Sequence, residues 1–119
     1  KVVSPDGRII QENNPVALSK VSISEEHMAV VKQGMREVTL PPDGTASSFF
    51  KGLPPVAAKT GTAEVYGHES HAIFVAFAPY EKPEIAVAVV VEHAGSGGTF
   101  GGPVAEEMLA AYFGLREEQ

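Results

Sequence analysis

The sequence predicts an α+β protein, an α/β chain in the broad sense, built as an antiparallel sheet with helices on both faces. Three apolar stretches, residues 56–66, 72–78 and 85–92, are separated only by short polar turns, and strands joined by turns that short pair antiparallel as a meander. The second and third stretches are apolar on both faces, as Ile73, Phe74, Val75 and Phe77 and then Val87, Val89, Val90 and Val91 show. A sheet so built needs cover on both sides. Helical periodicity brackets the strands, over residues 22–40 before them and 103–115 after them.

The elements follow in chain order. Residues 1–11 carry Ser4-Pro5-Asp6-Gly7 between two short apolar runs, and Pro-Asp-Gly is turn chemistry, so a hairpin is expected. Ser4 is then a first turn position and not a nucleophile. Residues 11–21 are polar, contain Asn13-Asn14-Pro15 and form a connector. A helix starts at Ser22 or Ser24, with Ser22 and Glu25 spaced as a capping box. Met28, Val31, Met35 and Val38 share one of its faces, with the methionines packing as core, and Pro41 and Pro42 stop it. Residues 41–55 are a Pro-, Gly- and Ser-rich loop with an apolar insert, Phe49-Phe50.

After the first long strand, residues 67–71 read as a polar turn, and residues 80–84 make a tight turn into the third strand. Residues 94–102 read as a flexible Gly-rich loop. Gly102 and Pro103 then open the last helix, with Val104, Met108, Ala111 and Leu115 on one face to cover the sheet and Gly114 near its end.

Composition narrows the function classes. At 119 residues the chain is one domain's worth or less. A net charge of −6 argues against nucleic acid as a partner. There is no cysteine, which removes disulfides and thiolate zinc sites. The longest apolar run, Ile85–Val91, is far too short to span a bilayer, and no signal-peptide pattern opens the chain. Any membrane tether is expected outside these residues.

Several patterns imitate sites without their context. Ser48-Phe49-Phe50-Lys51 fits Ser-x-x-Lys, which needs a helix to bring lysine to serine, yet it sits among prolines just before Lys59. His68 and His71, with Glu64 and Glu69 nearby, lack the helical spacing of a zinc site and read as a solvated turn that borders the cleft. The stretch Gly95-Ser96-Gly97-Gly98-Thr99-Phe100-Gly101-Gly102 breaks the phosphate-loop pattern. It also fails as a nucleophile elbow, because no histidine follows His93.

The chemistry concentrates in Lys59-Thr60-Gly61-Thr62, the one place where a cation and two hydroxyls interrupt an apolar strand. Side chains alternate on a strand, so Thr60 and Thr62 project to one side, and Lys59 and Gly61 belong to the other. Paired hydroxyls beside an ammonium receive a carboxylate well. Gly61 lets a ligand approach the backbone and frees the Thr62 N–H to meet it.

These residues match the Lys-Thr-Gly motif of penicillin-binding proteins and serine β-lactamases. With Ala63-Glu64, the strand His71-Ala72-Ile73-Phe74-Val75-Ala76-Phe77-Ala78-Pro79-Tyr80, the run 83–92 and Gly102-Pro103-Val104-Ala105, the chain closely resembles the end of a class B penicillin-binding protein, most of all the elongation type. The resemblance reaches back to Ser4-Pro5-Asp6-Gly7-Arg8 and covers nearly the whole sequence.

The resemblance implies a penicillin-binding and serine β-lactamase-like transpeptidase fold, incomplete in this chain, whose missing N-terminal part would supply sheet partners, the nucleophile helix and a helical subdomain. It implies a peptidoglycan D,D-transpeptidase that cross-links stem peptides ending in D-Ala-D-Ala through a serine acyl-enzyme and binds β-lactams, with no metal and no other cofactor. Lys59 would assist proton transfer at the serine of a Ser-x-Asn motif. Thr60 and Thr62 would hold the terminal carboxylate, Gly61 would permit its approach, and the Thr62 N–H would be one oxyanion donor. Implied partners of the full-length protein are a membrane glycan polymerase and rod-shape scaffold proteins, at the extracytoplasmic face of the bacterial membrane. Neither a helical Ser-x-x-Lys nor any Ser-x-Asn occurs here, so the isolated chain is expected to be inactive. A fragment of a β-lactamase or β-lactam sensor, or a non-catalytic interaction domain, are the alternative expectations.

Overall fold

A computed structural model of the chain describes residues 2–14 and 16–115, so Lys1 of the expected hairpin and Pro15 of the connector lie outside the described residues. The elements are β1 (Val2–Val3), β2 (Ile9–Gln11), α1 (Glu25–Glu37), β3 (Ala57–Val65), β4 (His68–Ala78), β5 (Ile85–Val91) and α2 (Gly97–Tyr112). β1 and β2 pair antiparallel as a small ribbon, and β3, β4 and β5 form an antiparallel sheet in that order, with β4 central.

Register fixes which residues share a face. Ala58, Thr60 and Thr62 stand opposite Ala76, Phe74 and Ala72, which in turn face Val87, Val89 and Val91 on β5. This side carries the core: Phe74, Ala76 and Ala78 cluster with Ala105 and Leu109 of α2 and with Ala46 and Phe50 from the preceding loop, and Ala72 is buried beside them on the same face. Lys59, Gly61, Ile73, Val75 and Phe77 lie on the other side. There Ile73, Val75 and Phe77 are only partly buried, and Val90 is exposed.

α2 departs most from the sequence expectation. It begins at Gly97, with Ser96 at the N-cap position but making no side-chain cap bond, so the glycine-rich stretch is helical and Pro103 sits inside the helix. Its buried face is Gly97, Gly101, Gly102, Ala105 and Leu109, whereas Val104, Met108 and Leu115 are about half exposed. The cause is steric. Gly97, Gly101, Ala105 and Leu109 recur every four residues and form one ridge, and a Cβ on Gly101 would come within 2.5 Å of the Phe74 Cβ. The small ridge lets the helix lie directly on the sheet, and that packing outweighs the roughly 3 kcal/mol an interior proline costs.

Three smaller differences appear. α1 is capped by Ser24, whose hydroxyl accepts the His27 N–H at 3.2 Å, and not by the Ser22–Glu25 pair. No residue of α1 is buried, so its Met28 and Val31 face is not core. β4 starts at His68, which leaves Tyr66 and Gly67 as the turn, with Gly67 at φ 77° as a tight hairpin connection requires.

Candidate functional site

Lys59, Thr60, Gly61 and Thr62 sit in the middle of β3, a strand with one neighbour, so alternate backbone groups face its open edge. Their side chains split as the pleat requires. Thr60 and Thr62 point to the α2 side, while Lys59, exposed, lies on the other, with its ammonium turned to the Thr60 carbonyl. Gly61 packs on Ile73, where an added Cβ would stand 3.4 Å from the Ile73 Cβ.

A cavity of about 330 Å³ opens beside the two threonines. Thr45 and Ser48 from the loop, Thr60 and Thr62 from β3, and Ser96 and Thr99 from the start of α2 line it with hydroxyls. Thr45 and Thr60 stand 3.4 Å apart, hydroxyl to hydroxyl. Gly97 and Gly98 close the wall. The first amides of a helix have no intrahelical acceptor and create a positive local field, and no acidic residue occupies the first turn of α2 to neutralise it. Hydroxyl donors, free amides and positive field all favour an oxyanion such as a carboxylate.

Thr45, Ser96 and Thr99 were not legible as site residues. The usable signal is glycine at positions 97 and 101 followed by Ala105 and Leu109, a small-residue helical ridge whose composition resembles that of a loop.

Other candidate residues are placed differently. Ser48 borders the cavity, but Lys51 lines a separate depression with Leu53, Glu106 and Ala110, and no helix joins the two. His68 and His71 belong to β4 rather than to a turn, and His93 joins them, its ring centred 5.0 Å from that of His68 and 4.7 Å from that of His71. The His93 N–H donates to His71 Nδ1 at 3.0 Å, so the trio ties the start of β4 to the end of β5. Among the described residues no group of three histidine or acidic side chains is arranged to hold a metal.

The family model described as the penicillin binding protein transpeptidase domain matches residues 2–113. The chain is 32% identical over 112 residues to the peptidoglycan D,D-transpeptidase MrdA of Escherichia coli K12, covering 81% of this chain and 18% of that protein. Penicillin-binding protein 2 of Helicobacter pylori, solved in complex with MreC, superposes with a TM-score of 0.71 at 35% identity, over 89% of this chain and 21% of its own. Penicillin-binding protein A of M. tuberculosis, solved as an imipenem acyl-enzyme complex, superposes with a TM-score of 0.62 at 27% identity, over 92% of this chain and 24% of its own. This chain therefore spans about a fifth of the length of such relatives. It belongs to the penicillin-binding protein transpeptidase family.

Proposed function

We propose that the chain is the Lys-Thr-Gly-Thr wall of an elongation-type peptidoglycan D,D-transpeptidase, which cross-links stem peptides through a serine acyl-enzyme and is acylated by β-lactams. The observation that carries the reading is the pairing of Thr60 and Thr62 on one face of an edge strand, opening on a hydroxyl-lined cavity. In this reading their hydroxyls hold the terminal carboxylate of a D-Ala-D-Ala peptide or of a penicillin. The Thr62 N–H, on a strand with an open edge, is one oxyanion donor, a contact worth roughly 3 kcal/mol in the transition state. Lys59 supplies positive charge and a hydrogen bond to the serine of the Ser-x-Asn motif and so assists proton transfer.

The nucleophile belongs to the rest of the domain, as does the cover for Ile73, Val75 and Phe77. The relative solved with MreC supports scaffold proteins as partners of the full-length protein, and the same proposal includes a membrane glycan polymerase as a further partner and a place at the outer face of the membrane. No helix among the described residues is long and apolar enough to cross a membrane.

Labelled penicillin tests the reading. The full-length protein is expected to form a covalent adduct at a rate that falls at least tenfold in Thr60→Val combined with Thr62→Val, whereas the 119-residue chain alone forms none. An adduct on the isolated chain, or an undiminished rate in the double variant, refutes it.

A further inference from the structure

Thr60 carries two groups on its Cβ, and the structure gives each a neighbour. Its methyl faces the first turn of α2, where a Cβ added to Gly98 would stand 3.6 Å away. Its hydroxyl lies 3.4 Å from that of Thr45. A β-branched side chain is stiff at χ1, and with its methyl toward Gly98 and its hydroxyl toward Thr45 the Thr60 side chain holds a rotamer that places the hydroxyl at the cavity.

The turn that presents Thr45 is itself fixed. The Gly44 N–H donates to the Leu40 carbonyl at 2.9 Å, the Ala46 N–H to the Val38 carbonyl at 2.8 Å and the Ser47 N–H to the Gly44 carbonyl at 3.0 Å. Ala46 is fully buried, and a Cβ on Gly44 would run into the carbonyls of Leu40, Val38 and Glu37. The Thr45 backbone is therefore held from both sides, while its side chain stays exposed at the cavity.

We infer that Thr45 is a positioning residue for Thr60, an inference that rests on the reading of Thr60 as a carboxylate ligand. Either hydroxyl can donate across this contact, and once a carboxylate takes the Thr60 proton, Thr45 is the one left to donate to the Thr60 oxygen. Donors in series polarise one another, so the proton offered to the anion becomes a better one. The separation of 3.4 Å exceeds the usual O–H···O length. The contact thus biases the hydroxyl without locking it, and a bound anion draws the chain tight.

The test uses the full-length transpeptidase and two probes, benzylpenicillin and its methyl ester, which lacks the anionic carboxylate. The readout is the ratio of their acylation rate constants. Thr45→Val is expected to lower this preference for the acid roughly three- to tenfold, the worth of one hydrogen bond, and Thr45→Ser to restore it. Thr45→Val added to Thr60→Val is expected to lower it no further than Thr60→Val alone, because the two side chains act as one unit. Should Thr45→Val not fold, Thr45→Ala carries the same measurement. If Thr60→Val keeps the preference, the carboxylate reading fails and this inference with it. If Thr60→Val loses the preference while the Thr45 variants keep it, or if Thr45→Ser loses as much as Thr45→Val, this inference alone is overturned.

Discussion

Gly97, the first residue of α2, rests directly on the backbone of Gly61, the glycine of the Lys-Thr-Gly motif. A methyl group on Gly97 would overlap the carbonyls of Gly61 and Ile73 and approach the Gly61 nitrogen to 2.9 Å. The strand that carries the site and the helix that walls its cavity are thus seated on each other through a glycine pair. Neither partner can yield by a side-chain rotation, because the atoms in the way are backbone. Gly97→Ala in the full-length protein is expected to cost about 1–3 kcal/mol of stability and to move the α2 wall away from Thr60. Thermal unfolding and penicillin acylation measured together check this, and a variant with unchanged stability shows that the helix gives way freely.

Lys59 leaves the sheet on the face opposite Thr60 and is exposed, so it does not share the cavity with the two threonines. Its proposed role is to supply charge to a serine on the far side of the strand. Lys59→Ala should therefore lower acylation by the roughly 10²- to 10⁴-fold typical of an acid–base group, with little change in unfolding temperature. Lys59→Arg should recover only part of the rate, since a planar guanidinium does not replace a compact ammonium. A rate in Lys59→Ala within a few fold of the parent removes Lys59 from the catalytic group.

The sheet was legible in the sequence because its strands are apolar and its turns short, and the Lys59 to Thr62 motif stood out as polarity inside such a strand. Two other features were hidden by composition. The glycines of α2 look like a flexible loop, but Gly97 and Gly101 are small because Gly61 and Phe74 lie against them, a tertiary fact no local propensity records. The cavity was hidden for a related reason: Thr45 and Thr99 come from segments 54 residues apart, Thr60 lies between them in sequence, and only the packed helix brings all three to one wall. On α1 the Met28 and Val31 stripe pointed to core, yet the helix has no buried residue, because periodicity reports a face that wants cover and does not say which element supplies it.

The β1–β2 ribbon gives a test by pH. Asp6 is held below the usual carboxylate range, first by the Ser4 hydroxyl and then by backbone amides of its own turn. A lowered pKa stabilises the turn above the pKa of the unfolded chain, and that contribution is lost as the pH falls through the folded value. Ser4→Ala should move the Asp6 titration up toward the ordinary value of about 3.9. NMR titration of the Asp6 carboxyl carbon reads this directly, and an unmoved midpoint would show that the backbone amides alone hold it.

Thr39 locks the end of α1 to the start of the site strand. Its hydroxyl lies 2.7 Å from the Val56 carbonyl and 2.9 Å from the Arg36 carbonyl, and the Arg36 guanidinium donates to the Thr39 oxygen at 2.7 Å and to the Val56 carbonyl at 3.0 Å. The single hydroxyl proton serves one carbonyl at a time, and Arg36 satisfies Val56 when it serves the other. Thr39 is 8% exposed, so water cannot readily replace it. Val56 is followed by Ala57, Ala58 and Lys59, so slack at this knot passes straight into the register of the motif. Thr39→Val keeps the shape and removes the hydroxyl, and it is expected to cost about 1–3 kcal/mol and to slow acylation in step. Thr39→Ser should recover most of both. Equal stability of Thr39→Val and parent in denaturant titration would mean that Arg36 alone carries the tie.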